Sequence, residues 1–246
     1  MAKEIRVAII GYGKMGRAIS EQVDKAGHKM VAAFSSGNPV SAEKLLEAKA
    51  DVAIEFTRPE AAVDNIMACI KAKVPVVVGT TGWYKEFKSV KKAVKAEKAT
   101  LLYATNFSVG VNLMFELNRK LAKLMNKFPE YGVSMSEIHH TQKLDAPSGT
   151  AITLAEDIIS QLDGIERWNL TAESVNSPKS VPITAIREED VKGTHIVQYT
   201  SAIDKIELKH EAFSREGFAK GSLLAAEFLV KQEPGVYTMR DFFKSL

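Results

Sequence analysis

The sequence predicts an α/β chain in which a doubly wound parallel sheet is joined to a second, α+β domain built on an open mixed sheet. Three observations carry this. Short apolar runs alternate with amphipathic helical segments as far as residue 108, the first run ends in a glycine-rich turn that opens a helix, and beyond Gly110 β-rich runs follow one another directly.

Whole-chain properties narrow the class. At 246 residues there is length for one large domain or two smaller ones. Hydrophobic residues make up 46% and charged residues 26%, an ordinary globular composition. A formal net charge of +3 is too small to argue for nucleic acid but suits an acidic small molecule or a phosphate. The single cysteine, Cys69, sits in an apolar helical pattern and excludes a disulfide framework within the chain. No apolar run reaches membrane-spanning length, and Met1-Ala2-Lys3-Glu4 carries no signal-type apolar region. A cytoplasmic protein with no membrane partner is expected.

The first strand is Ile5 to Ile10, an apolar run of the kind buried on both faces of a parallel sheet. It ends in Gly11-Tyr12-Gly13-Lys14-Met15-Gly16, followed by a helix through Met15, Ala18, Ile19, Val23 and Ala26, a stop at Gly27, and a second strand at Met30 to Phe34. Glycines that admit close approach, ahead of a helix N-terminus, make this βαβ unit a Rossmann-type dinucleotide site. An NAD site usually places a carboxylate after the second strand to bind the ribose 2′-hydroxyl. Here the chain reads Ser35-Ser36-Gly37, which removes a charge that would repel a 2′-phosphate and leaves Lys14, Ser35 and Ser36 to contact one. NADPH, NADH or both are the expected cofactors.

A third strand at Asp51 to Phe56 precedes a helix opened by Thr57-Arg58-Pro59-Glu60, and a fourth at Pro75 to Val78 ends in Gly79-Thr80-Thr81-Gly82. Trp83, Phe87, Val90 and Val94 mark the buried stripe of the next helix. Lys85, Lys88, Lys91, Lys92, Lys95 and Lys98 read as its solvated face. A fifth strand, Thr100 to Tyr103, ends in Ala104-Thr105-Asn106-Phe107-Ser108. Both turns fall on the carboxyl edge of the sheet, where ligands of doubly wound folds bind. Phe107 either stacks near a nicotinamide or belongs to the core.

After Gly110 one helix is expected through Leu113, Met114, Leu117, Leu121 and Leu124, then a strand from Tyr131 to Met135, and later β-rich runs at Val181 to Arg187, Thr194 to Ser201 and Ile203 to Phe213. Successive strands with a single flanking helix describe an open sheet whose other face needs cover, so a homo-oligomer is expected. The chain then returns through Ser214-Arg215-Glu216-Gly217-Phe218 to a helix through Leu223, Leu224, Phe228 and Leu229, and ends after Pro234-Gly235 in a short tail. Arg215 is either a surface cation or a cofactor contact. The expected division is 1–108, completed by 214–246, for the dinucleotide-binding domain, and 109–213 for the substrate-binding and oligomerisation domain.

The chemistry concentrates in Glu137-Ile138-His139-His140-Thr141-Gln142-Lys143-Leu144-Asp145-Ala146-Pro147-Ser148-Gly149-Thr150-Ala151. Ile152, Leu154, Ala155, Ile158 and Ile159 recur at helical spacing behind it, with Ser148 or Thr150 as the cap, so a helix N-terminus is available to a carboxylate. Adjacent histidines at a strand end point to opposite faces, which disfavours a shared metal ion. One of them is free to face a reacting carbon while the other, or Lys143, holds a charged substrate group. The plainer alternative is a buried structural histidine beside a surface one, with Lys143 solvated and Asp145 a turn residue.

These residues resemble the signature of the dihydrodipicolinate reductase family, the 4-hydroxy-tetrahydrodipicolinate reductases of diaminopimelate and lysine biosynthesis. Gly79-Thr80-Thr81-Gly82, Ala104 through Asn112 and Ser214-Arg215 with Phe218-Ala219 resemble that family in the same order, so the likeness spans essentially the whole chain. It implies a reductase in which His139 and Lys143 are the catalytic acid pair, and His140, Lys143, Gly149 and Thr150 hold a dicarboxylate substrate. It further implies a nicotinamide against Gly79, Thr80, Thr81, Ala104, Thr105, Asn106 and Phe107, and a homotetramer. From the residues themselves the other expected cofactor contacts are Gly11, Gly13, Lys14, Met15, Gly16, Ser35 and Arg215, no metal is expected, and the two domains should close over substrate. The glycine loop is one residue shorter than the commonest family form, and Ser35 and Ser36 replace the usual acidic or arginine residues. A different two-domain dehydrogenase acting on an amino acid or 2-oxo acid is the nearest alternative. A nicotinamide-binding redox sensor is a more distant one, because it would not need the carboxylate-binding cluster.

Overall fold

The computed structural model describes residues 4–173, 179–214 and 216–246. In chain order the elements are β1 (Arg6–Ile10), α1 (Lys14–Lys25), β2 (Lys29–Phe34), α2 (Ala42–Glu47), β3 (Val52–Glu55), α3 (Pro59–Ala72), β4 (Val76–Val78), α4 (Phe87–Ala96) and β5 (Thr100–Tyr103). Then come α5 (Val109–Met125), β6 (Gly132–His139), α6 (Gly149–Ile159), β7 (Arg167–Leu170), β8 (Ser180–Arg187), β9 (Thr194–Thr200) and β10 (Lys205–Glu211). The chain closes with α7 (Glu216–Leu229), β11 (Gly235–Thr238) and α8 (Met239–Lys244). They fall into two compact units, Met1–Ser108 with Glu216–Leu246, and Val109–Arg215.

The first unit is a six-stranded parallel sheet in the order β11-β5-β4-β3-β1-β2. Its strands read as continuous apolar runs because both faces are covered. Val7, Ile9, Ile54 and Val77 bury with Ile19 and Val23 of α1 and Ala219, Leu223 and Ala226 of α7. Ala8, Ile10, Ala53 and Val78 bury against Ile66 and Ile70 of α3 and Val90 and Val94 of α4. Pro59 opens α3 at a position where a missing N–H costs nothing.

Three local expectations change. The helix after Trp83 begins only at Phe87, behind a short 3₁₀ turn, while Trp83 is buried and its Nε1 donates to Thr80 O at 2.9 Å. The short α2, capped by Ser41, whose Oγ accepts from Lys44 N, was not foreseen. The tail after Pro234 is not a tail. It forms edge strand β11, paired parallel with β5, and then α8, whose capping box joins Thr238 and Asp241. A four-residue, half-buried edge strand carries too little apolar pattern to stand out.

The second unit is a five-stranded mixed sheet in the order β10-β9-β6-β8-β7. β6 runs parallel to β8 and antiparallel to β9. Strand β7 lay outside the expected elements. Two helices cover one face: α5 and α6, both expected from their spacing, supply Val111, Met114, Phe115, Leu154 and Ile158 to a core shared with Met135, Ile183, Val197 and Tyr199. The leucine stripe of α5 is also corrected. Leu113, Leu117 and Leu124 are exposed at 48%, 52% and 58%. The true buried face is disguised by two asparagines, and Asn118 earns its place there by donating to Leu154 O at 3.0 Å. On the opposite sheet face Ser134, Ser136, Ile138, Ile196 and Ile186 remain half-buried or exposed.

The role of α8 is testable. Phe242 is buried and its ring lies 5.8 Å from Phe228 and 5.1 Å from Phe243. Phe242→Ala is expected to destabilise the chain by about 3 kcal/mol in urea unfolding, the usual cost of deleting a buried aromatic ring. A change within about 0.5 kcal/mol, the ordinary scale of a surface substitution, would show that the C-terminal helix is dispensable.

Candidate active site

At the carboxyl edge of the first sheet, the three glycines after β1 stand in different circumstances. Gly11 has φ +97°, and a Cβ there would meet Phe56 O at 2.0 Å. A Cβ on Gly16 would meet Gly11 O at 2.3 Å, whereas one on Gly13 would meet nothing within 4 Å. The outer glycines are therefore required by packing, and the middle one leaves open space. Helix α1 starts directly after Gly13 with no side-chain cap and no acidic residue in its first turn, an arrangement that favours an anion.

Gly11, Gly13, Lys14, Met15, Gly79, Thr80 and Thr81 line one cavity of about 340 Å³. Phe56, Thr57 and Pro59 complete it, and these were not singled out from sequence. The cavity lies where the strand order reverses between β1 and β3, the ligand position of doubly wound sheets. Beneath it Glu55 is fully buried and accepts from Thr57 Oγ1 and, at 3.2 Å, from Asn65 Nδ2, while Thr57 N donates to Thr80 Oγ1 at 2.7 Å. Burial outweighs these hydrogen bonds and raises the Glu55 carboxyl above the usual carboxylate range.

The remaining cofactor candidates lie apart from that cavity. Gly16 is buried under the turn. Ser35 is exposed and pairs with Asn38 in an isolated bridge. Ala104, Thr105, Asn106 and Phe107 follow β5 on the same edge, with Asn106 Oδ1 accepting from Ser108 N at 2.8 Å. The Phe107 ring belongs to the core, 2% exposed and 5.8 Å from Phe56, so it does not offer a stacking face. Arg215 lies outside the described residues.

In the second unit β6 carries Met135, Glu137 and His139 inward on one face, as a period of two dictates. Glu137 is fully buried. Ser148 N donates to both of its oxygens at 3.1 Å, and Arg187 Nη2 stands 3.4 Å from Oε1. His139 Nδ1 is 3.6 Å and His195 Nε2 3.8 Å from Oε2, and the two imidazoles meet edge-to-face at 5.0 Å. Ser148 caps α6, accepting from Ala151 N, and its Oγ lies 3.2 Å from His195 Nε2. Burial pushes His139 below the usual histidine value, with Glu137 working against that and Lys143 and Arg187 adding to it. Burial also drives His195 down to about 3, so it is neutral at physiological pH.

Lys143 Nζ is ion-paired with Asp145 at 2.8 Å. Burial acts to raise the Asp145 carboxyl, but the hydrogen bond and charge of Lys143 prevail and lower it. Arg187 donates from Nε to Lys143 O at 3.2 Å and from Nη2 to Asp145 O at 2.6 Å, which clasps the turn carrying Lys143. Next to His139 along the chain, His140 is half-buried and lines a separate cavity of about 610 Å³ with Thr141, Gln142, Glu189, Asp190, Lys192, Phe213 and Ser214. Gly149 and Thr150 form the first turn of α6.

Glu137, His139 and His195 bring ligand-type atoms within 4.8 Å of one another. Within the chain, Ser148 N–H donates to both Glu137 oxygens and the Arg187 guanidinium faces Oε1.

One unit carries a cavity at a glycine turn and a helix N-terminus, and the other a cluster of histidines, a lysine and carboxylates. The family model for the N-terminus of dihydrodipicolinate reductase matches residues 5–107, and the model for its C-terminus matches residues 110–243. The chain belongs to the dihydrodipicolinate reductase family. It is accordingly an NAD(P)H-dependent oxidoreductase of the diaminopimelate and lysine route. The 4-hydroxy-tetrahydrodipicolinate reductase of Christiangramia forsetii is 46% identical over 98% of this chain and 99% of its own. That of Methanosarcina barkeri is 37% identical over 96% and 98%. A solved dipicolinate-bound dihydrodipicolinate reductase from Paenisporosarcina sp. TG-14 is 25% identical with a TM-score of 0.75, covering 96% of this chain and 98% of that one. An amine dehydrogenase from Mycobacterium smegmatis shares the fold at 11% identity and TM-score 0.60, covering 95% of this chain and 94% of its own.

Within this reductase fold, Arg187 and His195 escaped the sequence reading. Arg187 faces His139 across the β6–β8 register, and His195 faces Glu137 across β6–β9. Because the proton affinity of His195 is depressed on folding, the stability it contributes is complete above the ordinary value of 6.5 and is lost as pH falls towards about 3. The unfolding free energy of the wild type should therefore fall more steeply on acidification than that of His195→Gln, by up to about 1.4 kcal/mol per pH unit. Parallel pH dependences in urea titrations would remove His195 as a source of acid sensitivity.

Proposed function

We propose that His139 and Lys143 form the acid pair with which this reductase converts 4-hydroxy-tetrahydrodipicolinate to tetrahydrodipicolinate. Reducing a polarised C=C–C=N system takes a hydride donor held close to carbon and a proton for the anion that forms. The observation that carries the reading is the concentration of a buried histidine, an ion-paired lysine and a helix N-terminus in one short segment, residues 137–151. Protonated His139 or Lys143 supplies the proton, and their positive charge stabilises the developing anion. His140, Lys143, Gly149 and Thr150 hold the substrate carboxylates, one of which competes with Asp145 for the Lys143 ammonium. The bound dipicolinate of the Paenisporosarcina relative, itself a planar dicarboxylate, supports this choice of ligand.

The dinucleotide takes the cavity after β1, its pyrophosphate at the N-terminus of α1 and its nicotinamide towards Gly79, Thr80 and Thr81. Ala104 to Phe107 add backbone to the same edge. Ser35 and Ser36 place no carboxylate after β2, so NADPH is accepted alongside NADH, with Lys14 available to a 2′-phosphate. The uncovered face of the second sheet supports a homotetramer. The lone buried Cys69 and the absence, among the described residues, of a helix long and apolar enough to cross a membrane suit a cytoplasmic enzyme.

Two experiments test this. Supplied with substrate by the synthase that condenses pyruvate with aspartate semialdehyde, the protein should oxidise both NADPH and NADH. His139→Ala and Lys143→Ala should each lose about 100-fold or more in kcat while cofactor affinity holds within about threefold; full turnover in either variant refutes the acid pair. Separately, Ser36→Asp restores a carboxylate after β2 and should cut kcat/KM for NADPH about tenfold while sparing NADH. Equal losses with the two cofactors would move the 2′-phosphate elsewhere.

A further inference from the structure

We propose that the buried Glu137 and the half-buried Arg187 form a positioning pair that aligns both acids of the second unit, His139 through the carboxylate and Lys143 through the backbone of its turn. The inference rests on the reading of His139 and Lys143 as those acids. Neither Glu137 nor Arg187 is asked to touch substrate.

The geometry supports it in three ways. First, Glu137 is wholly buried two residues before His139 on the same strand face, and the groups that surround it belong to the parts of the site. These are Ser148 N at the start of α6, Arg187 of β8, His139 of β6 and His195 of β9. Second, one guanidinium spans the Glu137 carboxylate and the carbonyls of Lys143 and Asp145 at 3.4, 3.2 and 2.6 Å. Only a planar fork of fixed donors bridges three acceptors in that way; a lysine ammonium is a single point. Third, Gly193 brings bare backbone against the far side of His139, where a Cβ would lie 3.2 Å from Nε2, so the ring is gripped between Glu137 and the start of β9.

The groups facing His139 have opposed effects. Glu137 on its own strand and Asp145 on the turn favour its proton, whereas Lys143, Arg187 of β8 and burial oppose it. His195 of β9 lies against its ring, with His210 of β10 opposite His195 in register. Removing the Glu137 charge therefore tips the balance further against protonation of His139.

Glu137→Gln preserves shape and one acceptor for Ser148 N–H while deleting the charge. Histidine-selective labelling with NMR, the His139 signal assigned through His139→Gln, should show its titration moving to lower pH by about one unit. The alkaline limb of the kcat profile should move with it, kcat should fall at least about tenfold, and KM for NADPH should stay unchanged. Arg187→Lys should lower kcat and raise KM for the dicarboxylate while leaving the His139 titration nearly in place. An unmoved His139 titration and pH limb in Glu137→Gln, even alongside a lower Tm, would reduce Glu137 to a packing role and overturn the proposal. Should Glu137→Gln not fold, wild-type kcat and KM in Arg187→Lys would overturn it equally. If the wild type shows no turnover, the acid assignment fails by itself, and the NMR shift still decides whether the pair governs His139.

Discussion

A carboxylate taken out of water forfeits several kcal/mol of hydration, and the fold must return that through hydrogen bonds and opposite charge at short range. Glu137 imposes this requirement on the second unit. Its two oxygens draw in the first turn of α6 through Ser148, strand β8 through Arg187, and the imidazoles of β6 and β9. The cluster is what forms around one buried charge. Met135, two positions earlier on the same face, shows what an ordinary core residue at this depth looks like.

The first unit uses a related device for a different purpose. Glu55 is as deeply buried, but its partners are neutral: Thr57, Asn65 and, through Thr57, Thr80. It ties together the turns after β3 and β4 that line the cavity beside the glycine turn, without adding a cation there. The helix ends differ as well. At α6 the protein's own carboxylate and the Ser148 side chain engage the N-terminal N–H groups, whereas α1 begins with no side-chain cap. The protein's own groups thus engage part of the positive end of α6, while that of α1 has no side-chain partner.

How much of this was legible in the sequence follows the range of the interactions. Glycines after β1 and Pro59 opening α3 act over a few residues, and spacing alone exposed them, whereas the cap of α6 narrowed only to Ser148 or Thr150. The alternation of strands and helices exposed the parallel sheet, and the crowding of His139, His140, Lys143 and a Gly-Thr turn exposed the motif to which the family resemblance then gave roles. Arg187 and His195 stayed hidden because they meet His139 and Glu137 only through strand register, across separations that no local pattern encodes. Leucines on α5 misled because hydrophobicity was read as burial, and the helix bears apolar side chains on two faces. Short β7, β11 and α2 went unread because their stability comes from neighbours rather than from their own pattern.

The placement of α7 and β11 has a consequence for how the chain is made. Residues Ala219, Leu223, Ala226 and Leu229 cover one face of the first sheet together with α1, and β11 supplies its last strand, yet all of them follow the second unit in the chain. On the ribosome, Val7, Ile9, Ile54 and Val77 must wait until the polypeptide has grown past residue 216 before that side of the sheet is sealed. The second unit is contiguous and closes its own core earlier. The first segment to emerge is therefore the last to be completed, and part of its aliphatic surface stays uncovered through most of the chain's synthesis.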